Sequence, residues 1–155
     1  MHKLNEHLVC TLSAGLLAAH WHQDQMYGNK PYMYHLREVY KRVCAIDTLS
    51  SDDHLLAQMV AYLHDILEDT ECTENVIRTS LAGYPRMNDL IDAVRATTKI
   101  PSETKADYIQ RVRANEIALV VKVADTLANL TESALHQPNK KRVEKYTAQL
   151  KELCK

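Results

Sequence analysis

Apolar residues recur at three- and four-residue intervals along almost the whole of this 155-residue chain. That spacing puts side chains on one face of an α-helix. Leu4, Leu8, Leu12, Leu16 and Ala19 form one stripe, with Val9 and Leu17 beside it. Leu36, Val39, Tyr40 and Val43 make the inward face of a second helix, predicted to begin near Tyr32 or Tyr34 and run to about Ile46. Leu55, Leu56, Met59, Val60 and Leu63 mark a third. Thr73 is placed to cap a short helix through Ala82, and another starts near Met87 with Leu90, Val94 and Thr97. "SETK" can cap a helix through Arg113. Ile117–Leu130 is a further candidate, and Val143, Tyr146, Leu150 and Leu153 share one face of the last. Breaks such as "MYGNKP", "DTLSSDD", "AGYPRM" and "HQPNKK" separate these segments. The run "IALVVKV" at 117–123 also fits a buried strand, but Val123, Leu127 and Leu130 continue it at helical spacing. Three glycines in the whole chain leave little for the tight turns of a β-rich fold. The expectation is an all-α single domain over residues 1–155, a bundle of about seven or eight helices.

The formal net charge is -1, so no basic surface for nucleic acid or membrane is expected. Apolar runs such as "IALVV" are far too short to span a bilayer. The N-terminal segment carries Glu6 and several histidines among its apolar residues and reads as an amphipathic helix rather than a signal peptide. Cys10, Cys44, Cys72 and Cys154 are widely spaced, with no C-x-x-C pair, which suits free buried thiols in a reducing cytoplasm. No pattern sets an oligomeric state.

Against this background, "AYLHDILEDT" at 61–70 is anomalous. His64 continues the apolar stripe of the third helix four residues after Val60, and Asp65 lies about 100° further round. Glu68 and Asp69 stand at i+4 from them, so all four groups can converge on one helix end. By itself this also fits a helix terminus reaching solvent. Two other stretches alter the balance. His35 opens an otherwise apolar helix, and Asp125 sits in the middle of another, "VVKVADTLANL". A buried carboxylate is costly unless paired or bound to a metal. Asp125 has Asn129 at i+4 rather than a cation, although Lys122 at i−3 is within pairing reach. His35, His64, Asp65 and Asp125 make a mixed imidazole–carboxylate set of the kind that suits Mn²⁺, Fe²⁺ or Zn²⁺.

The order H…HD…D resembles the HD superfamily of metal-dependent phosphohydrolases, and within it more particularly the alarmone (ppGpp) hydrolase domain of Rel/Spo homologues and its small single-domain form. That family shows A-H-x-x-Q, G-x-P-Y-x-x-H, H-D-x-x-E-D-T, T-K and K-L-A-D-R-L-x-N-L. This chain has "AHWHQ", "GNKPYMYH", "LHDILEDT", "TTK" and "KVADTLANL" in the same order, from Ala19 to about Leu130, and "VEKYTAQL" is similar to the family's last helix.

The resemblance implies an HD-domain bundle in which His35, His64, Asp65 and Asp125 hold one divalent metal, Mn²⁺ before Fe²⁺, Zn²⁺ or Co²⁺. It makes Glu68 and Asp69 the catalytic pair that orients or deprotonates the attacking water. The implied partner is a small-molecule nucleotide. Asn129 is a candidate for a ribose hydroxyl and Lys99 for phosphate, and each also reads as an ordinary helix-end or surface residue. Lys122 fits an exposed lysine better than a phosphate ligand. Trp21 offers a stacking face for a base or simple rim packing, and His20 is expected to be structural. The chain departs from the family where Arg-Lys normally follows A-H-x-x-Q: here Gln25 and Met26 stand, with Lys30 the nearest cation. Thr126 replaces an arginine after the last metal aspartate, and Thr131 and Glu132 follow Leu130 where Arg and Thr are usual. The expected activity is guanosine-3′,5′-bis(diphosphate) 3′-pyrophosphohydrolase. The alternatives are a deoxynucleoside triphosphate triphosphohydrolase or nucleotidase of the same superfamily, and an inactive nucleotide sensor.

Overall fold

Five helix starts carry a side-chain cap. Ser50, Thr73, Thr104, Asn115 and Asn139 each accept a hydrogen bond from the backbone N–H three residues on, satisfying donors that a helix start leaves free. The computed structural model describes residues 2–155, with side chains from residue 6 onward. The helices are α1 (His2–Trp21), α2 (Tyr32–Cys44), α3 (Ser51–Leu63), the single turn α4 (Ile66–Asp69), α5 (Glu74–Ser80), α6 (Met87–Thr97), α7 (Lys105–Arg113), α8 (Glu116–Thr131) and α9 (Lys140–Leu153). A π-helical turn over Glu132–His136 extends α8. The fold is all-α, and "IALVVKV" is helical as its downstream spacing requires. Within "SETK", the cap of α7 is Thr104.

The core lies where α8 meets α2 and α3. Leu36, Val39, Leu56, Val60, Leu63, Val121 and Ala124 are fully buried there. Because α8 is covered on several sides, it is apolar nearly all round. A second cluster joins Tyr108, Ile109 and Val112 of α7 to Ala118 and Leu153.

Four features differ from the sequence expectations. The stretch "MYGNKP" is a miniature antiparallel hairpin, β1 (Met26–Tyr27) with β2 (Lys30–Pro31). Gly28 turns it with φ +62°, and a Cβ there would lie 2.1 Å from Gln137 Nε2. Of the four thiols, all free, only Cys72 is buried; Cys44 and Cys154 are exposed. The leucine stripe of α1 faces outward: Leu8, Leu12 and Leu16 are exposed, whereas Ala14, Leu17 and Ala18 are buried. Small side chains allow α1 to lie close on α3, which turns the larger ones to solvent. Leu4 and His2 lie outside the residues whose side chains are described. Finally, the third helix does not run through the His-Asp pair. It stops at Leu63, and His64 and Asp65 form a joint before α4.

Candidate metal centre

The joint is made by His64 itself. Its Nδ1 donates to the Ala61 carbonyl at 2.9 Å, taking an acceptor that a continuing helix would use for the Asp65 N–H. Asp65 adopts φ -104°, ψ -1°, outside regular helix geometry. The hydrogen bond at Nδ1 also sets the tautomer of neutral His64, leaving the Nε2 lone pair to point into the site. Nε2 is buried with no hydrogen-bond partner.

Three elements meet at that nitrogen. His35 comes from the first turn of α2, His64 from the joint and Asp125 from the middle of α8. One ligand atom from each falls within 4.8 Å of the others, an arrangement able to hold a metal ion. His35 Nε2 is 3.1 Å from Asp125 Oδ1, and His64 Nε2 is 3.8 Å from it. Asp65 Oδ2 approaches His64 Nε2 at 2.9 Å without hydrogen-bond geometry and His35 Nε2 at 3.9 Å. An unpartnered buried imidazole nitrogen beside two carboxylates fits a cation better than it fits a packed core.

The surrounding shell is more extensive than the sequence suggested. Tyr32 donates to Asp65 Oδ2 at 2.5 Å. Asn129 Nδ2 donates to Asp125 Oδ1 at 2.7 Å, and its own Oδ1 accepts from Tyr27 at 2.8 Å. The Tyr27 ring stacks on His35 at 4.7 Å. Lys122 is buried, not exposed as expected, and its Nζ reaches Asp125 Oδ2 at 2.7 Å. The pairing of Asp125 with Lys122 is therefore real, and it occupies one carboxylate oxygen while the other faces the histidines.

These contacts set the charges. Burial pushes the His64 imidazole toward neutrality, but Asp65 and Asp125 outweigh it and raise its pKa to about 10. Burial opposes the charge on Asp125, yet Lys122 and both histidines hold its carboxyl well below the usual range. Burial likewise opposes Lys122, and Asp125 more than compensates. Tyr32 is driven far up by burial and then by Asp65, so it remains a donor.

Glu68 and Asp69 lie beside this cluster on α4. Both Glu68 oxygens are held by Lys99, one by Nζ at 2.7 Å and the other by the backbone N–H at 3.1 Å. Lys99 is anchored from behind: Arg111 donates to the carbonyls of Arg95, Ala96 and Thr98 at the end of α6 and pairs with Glu103. Asp69 Oδ2 accepts from Gln25 Nε2 at 3.0 Å.

A cleft of about 490 Å³ opens over the cluster. His35, Asp65, Asp125, Glu68, Asp69, Lys99 and Asn129 line it, as expected for a common site, while Lys105, Tyr108, Lys145, Tyr146 and Gln149 form a far wall from α7 and α9 that sequence spacing did not identify. Two expected residues are not brought in. Trp21 lines a shallower depression with Gln25 and Asp69, edge-on to the exposed His20. Lys30 lies over the Tyr34 ring at 3.7 Å and 3.6 Å from the buried Glu132. The buried histidine of "AHWHQ" is His22 rather than His20; it stacks on Tyr32 at 4.8 Å. Tyr32 precedes His35 by three residues on α2, a same-face signal that would have paired them.

No family model matches the chain, and no curated protein matches it. Fold and site together define an all-helical domain with an imidazole–carboxylate cluster at the floor of an open cleft. Among solved structures, the chain is similar to a metazoan ortholog of SpoT described as hydrolysing ppGpp and playing a role in starvation responses. The TM-score is 0.71 at 21% sequence identity, over 93% of this chain and 83% of that one. The two proteins share a fold.

Proposed function

We propose that the chain is a metal-dependent nucleotide phosphohydrolase of the HD type, acting as a guanosine-3′,5′-bis(diphosphate) 3′-pyrophosphohydrolase. The observation that carries this is the His64 nitrogen, buried, unpartnered and aimed at His35 and Asp125 beside the Glu68–Asp69 pair. His35, His64, Asp65 and Asp125 would hold one divalent cation, Mn²⁺ in the first instance. Such an ion lowers the pKa of bound water and neutralises phosphoryl charge. Glu68, steadied by Lys99, orients the attacking water and takes its proton. Asp69, held by Gln25, fixes the water from its other side. Water adds to the phosphorus borne by the ribose 3′ oxygen, that P–O bond breaks, the 3′ oxygen takes up a proton from solvent, and pyrophosphate and a nucleoside 5′-diphosphate with a free 3′-hydroxyl are released. Lys99 faces the phosphates, and Asn129, fixed by Asp125 and Tyr27, faces the ribose. That the metazoan neighbour is described as hydrolysing ppGpp supports the choice of substrate. A cytoplasmic setting suits the four free thiols.

One observation favours a second reading, a related enzyme acting on another nucleotide, such as a deoxynucleoside triphosphate triphosphohydrolase or nucleotidase. The rim beside β1 offers neutral Gln25, engaged with Asp69, and Lys30, engaged with Glu132, in place of two free cations. A panel of guanosine tetraphosphate and nucleoside triphosphates with Mn²⁺, read by phosphate, pyrophosphate and triphosphate release, separates the two. Pyrophosphate from guanosine tetraphosphate, abolished by chelator and by Asp125→Ala, is the expected result. Triphosphate release would select the second reading, and binding without turnover would leave a sensor.

A further inference from the structure

Among the described residues, seven large apolar side chains are exposed, and four of them, Leu8, Val9, Leu12 and Leu16, share one face of α1. They are 60%, 60%, 55% and 72% exposed. The other three, Met26, Ile100 and Leu135, are scattered singly, as on any surface. From residue 7 to residue 23 there is no Lys, Arg, Asp or Glu to break the patch. A contiguous apolar face of this kind marks an association surface. We propose that it pairs with the same face of a second copy, as an antiparallel two-fold helix pair centred on Leu12.

The register follows from the spacing. Leu8, Leu12 and Leu16 fall at intervals of four, so reversing the helix about Leu12 maps the stripe onto itself: Leu12 meets its own copy and Leu8 meets Leu16. Self-complementarity is what an isologous contact requires. Hydrogen-bonding groups agree with the same register, an imidazole and a carboxylate being complementary as donor and acceptor. Glu6 and His20, both exposed, bracket the stripe at opposite ends, and the reversal brings each to within about 3 Å along the axis of the other, on the same flank. Val9 also borders a groove of about 360 Å³ closed by Met59, Leu81 and Tyr84, which gives the partner helix a recess along that flank. A membrane surface is the poorer occupant. No Lys or Arg lies between Lys3 and Lys30, whereas interfacial helices rely on such residues to meet anionic lipid. A single helix pair is a small interface, so the dimer should form in the micromolar range.

Sedimentation equilibrium over about 5–200 µM spans that range. The full-length protein is expected to shift to twice its 17.7 kDa mass, and Leu12→Glu to dimerise at least tenfold more weakly with unchanged circular dichroism and hydrolase activity. Leu12→Cys under mild oxidant should yield a covalent dimer well above the background from the exposed Cys44 and Cys154. The cysteine variant decides the matter if the glutamate variant fails to fold. A protein monomeric throughout, a dimer indifferent to Leu12→Glu, or no cross-link at residue 12 would overturn the proposal. So would a monomer that binds anionic vesicles through this face.

Discussion

Gln25 Nε2 donates to Asp69 Oδ2 across 3.0 Å, while the Gln25 amide oxygen lies 2.6 Å from His22 Nδ1. A neutral amide thus clamps one acid of the proposed catalytic pair, and a buried histidine orients the amide. Gln25→Ala is expected to lower turnover by about tenfold, the worth of one hydrogen bond to a charged group at a partly exposed position. Metal affinity should not change. Gln25→Glu, which sets like charges together, should be worse. Parallel measurements of kcat and of the metal dissociation constant check this, and a loss confined to metal binding would contradict it.

Tyr32 acts on Asp65 in a comparable way, but through a buried hydroxyl. Tyr32→Phe keeps the ring that stacks on His22 and deletes only the donor at 2.5 Å. Loss of such an outer partner typically weakens metal affinity by about 10–100-fold. Titration calorimetry with Mn²⁺ reads this directly. At saturating metal, turnover should return to within a few-fold of the parent.

For Glu68, substitution by Gln retains the shape and one of the two Lys99 hydrogen bonds, since an amide has a single acceptor oxygen, but removes the proposed base. Turnover should fall by at least about a hundredfold. Metal-dependent thermal stabilisation should persist, which distinguishes this variant from Asp125→Ala. The latter loses a candidate ligand and leaves Lys122 a buried, uncompensated cation, a change that costs about 3–5 kcal/mol of stability.

Metal uptake should release a proton. The raised His64 pKa, about 10, means that the metal-free imidazole is charged at neutral pH, whereas a ligand must be neutral. Affinity is therefore expected to increase with pH through the neutral range and to level off as pH passes the folded pKa. Calorimetry in two buffers of different ionisation enthalpy should give close to one proton released per ion at pH 7.5. No buffer dependence would show that His64 is already neutral.

Apolar spacing carried the fold because a bundle helix repeats its burial every turn, and α2, α6, α8 and α9 obey that rule. On α1 the rule pointed the wrong way. Leu8, Leu12 and Leu16 form the more regular stripe, but the buried positions are Thr11, Ala14, Leu17 and Ala18, most of them too small or too polar to register as a hydrophobic pattern. The site was legible wherever a polar residue interrupted an apolar helix, as His35, His64 and Asp125 do. Its far wall was not. Lys105 and Lys145 are exposed, where charged residues are ordinary, and Tyr146 read as one more member of the apolar face of α9; only the packing of those helices against α8 turns them toward the cleft. Lys122 was within pairing reach of Asp125 by spacing, but its charge suggested a surface position, while its burial depends on that aspartate one turn away.

The three converging candidate ligand atoms come from residues 35, 64 and 125, so no piece of the chain shorter than residues 35–125 contains the site. Closing those loops is entropically expensive and is repaid only once α8 has docked between α2 and α3. On the proposed function, ion capture would therefore wait for α8 to dock. A nascent polypeptide that has not yet released α8 from the ribosome has no centre to load, and neither does a fragment cut in the loop before Glu116. Metal-dependent protection from proteolysis would then report the docking of α8 on α2 and α3 rather than order in any one of these helices.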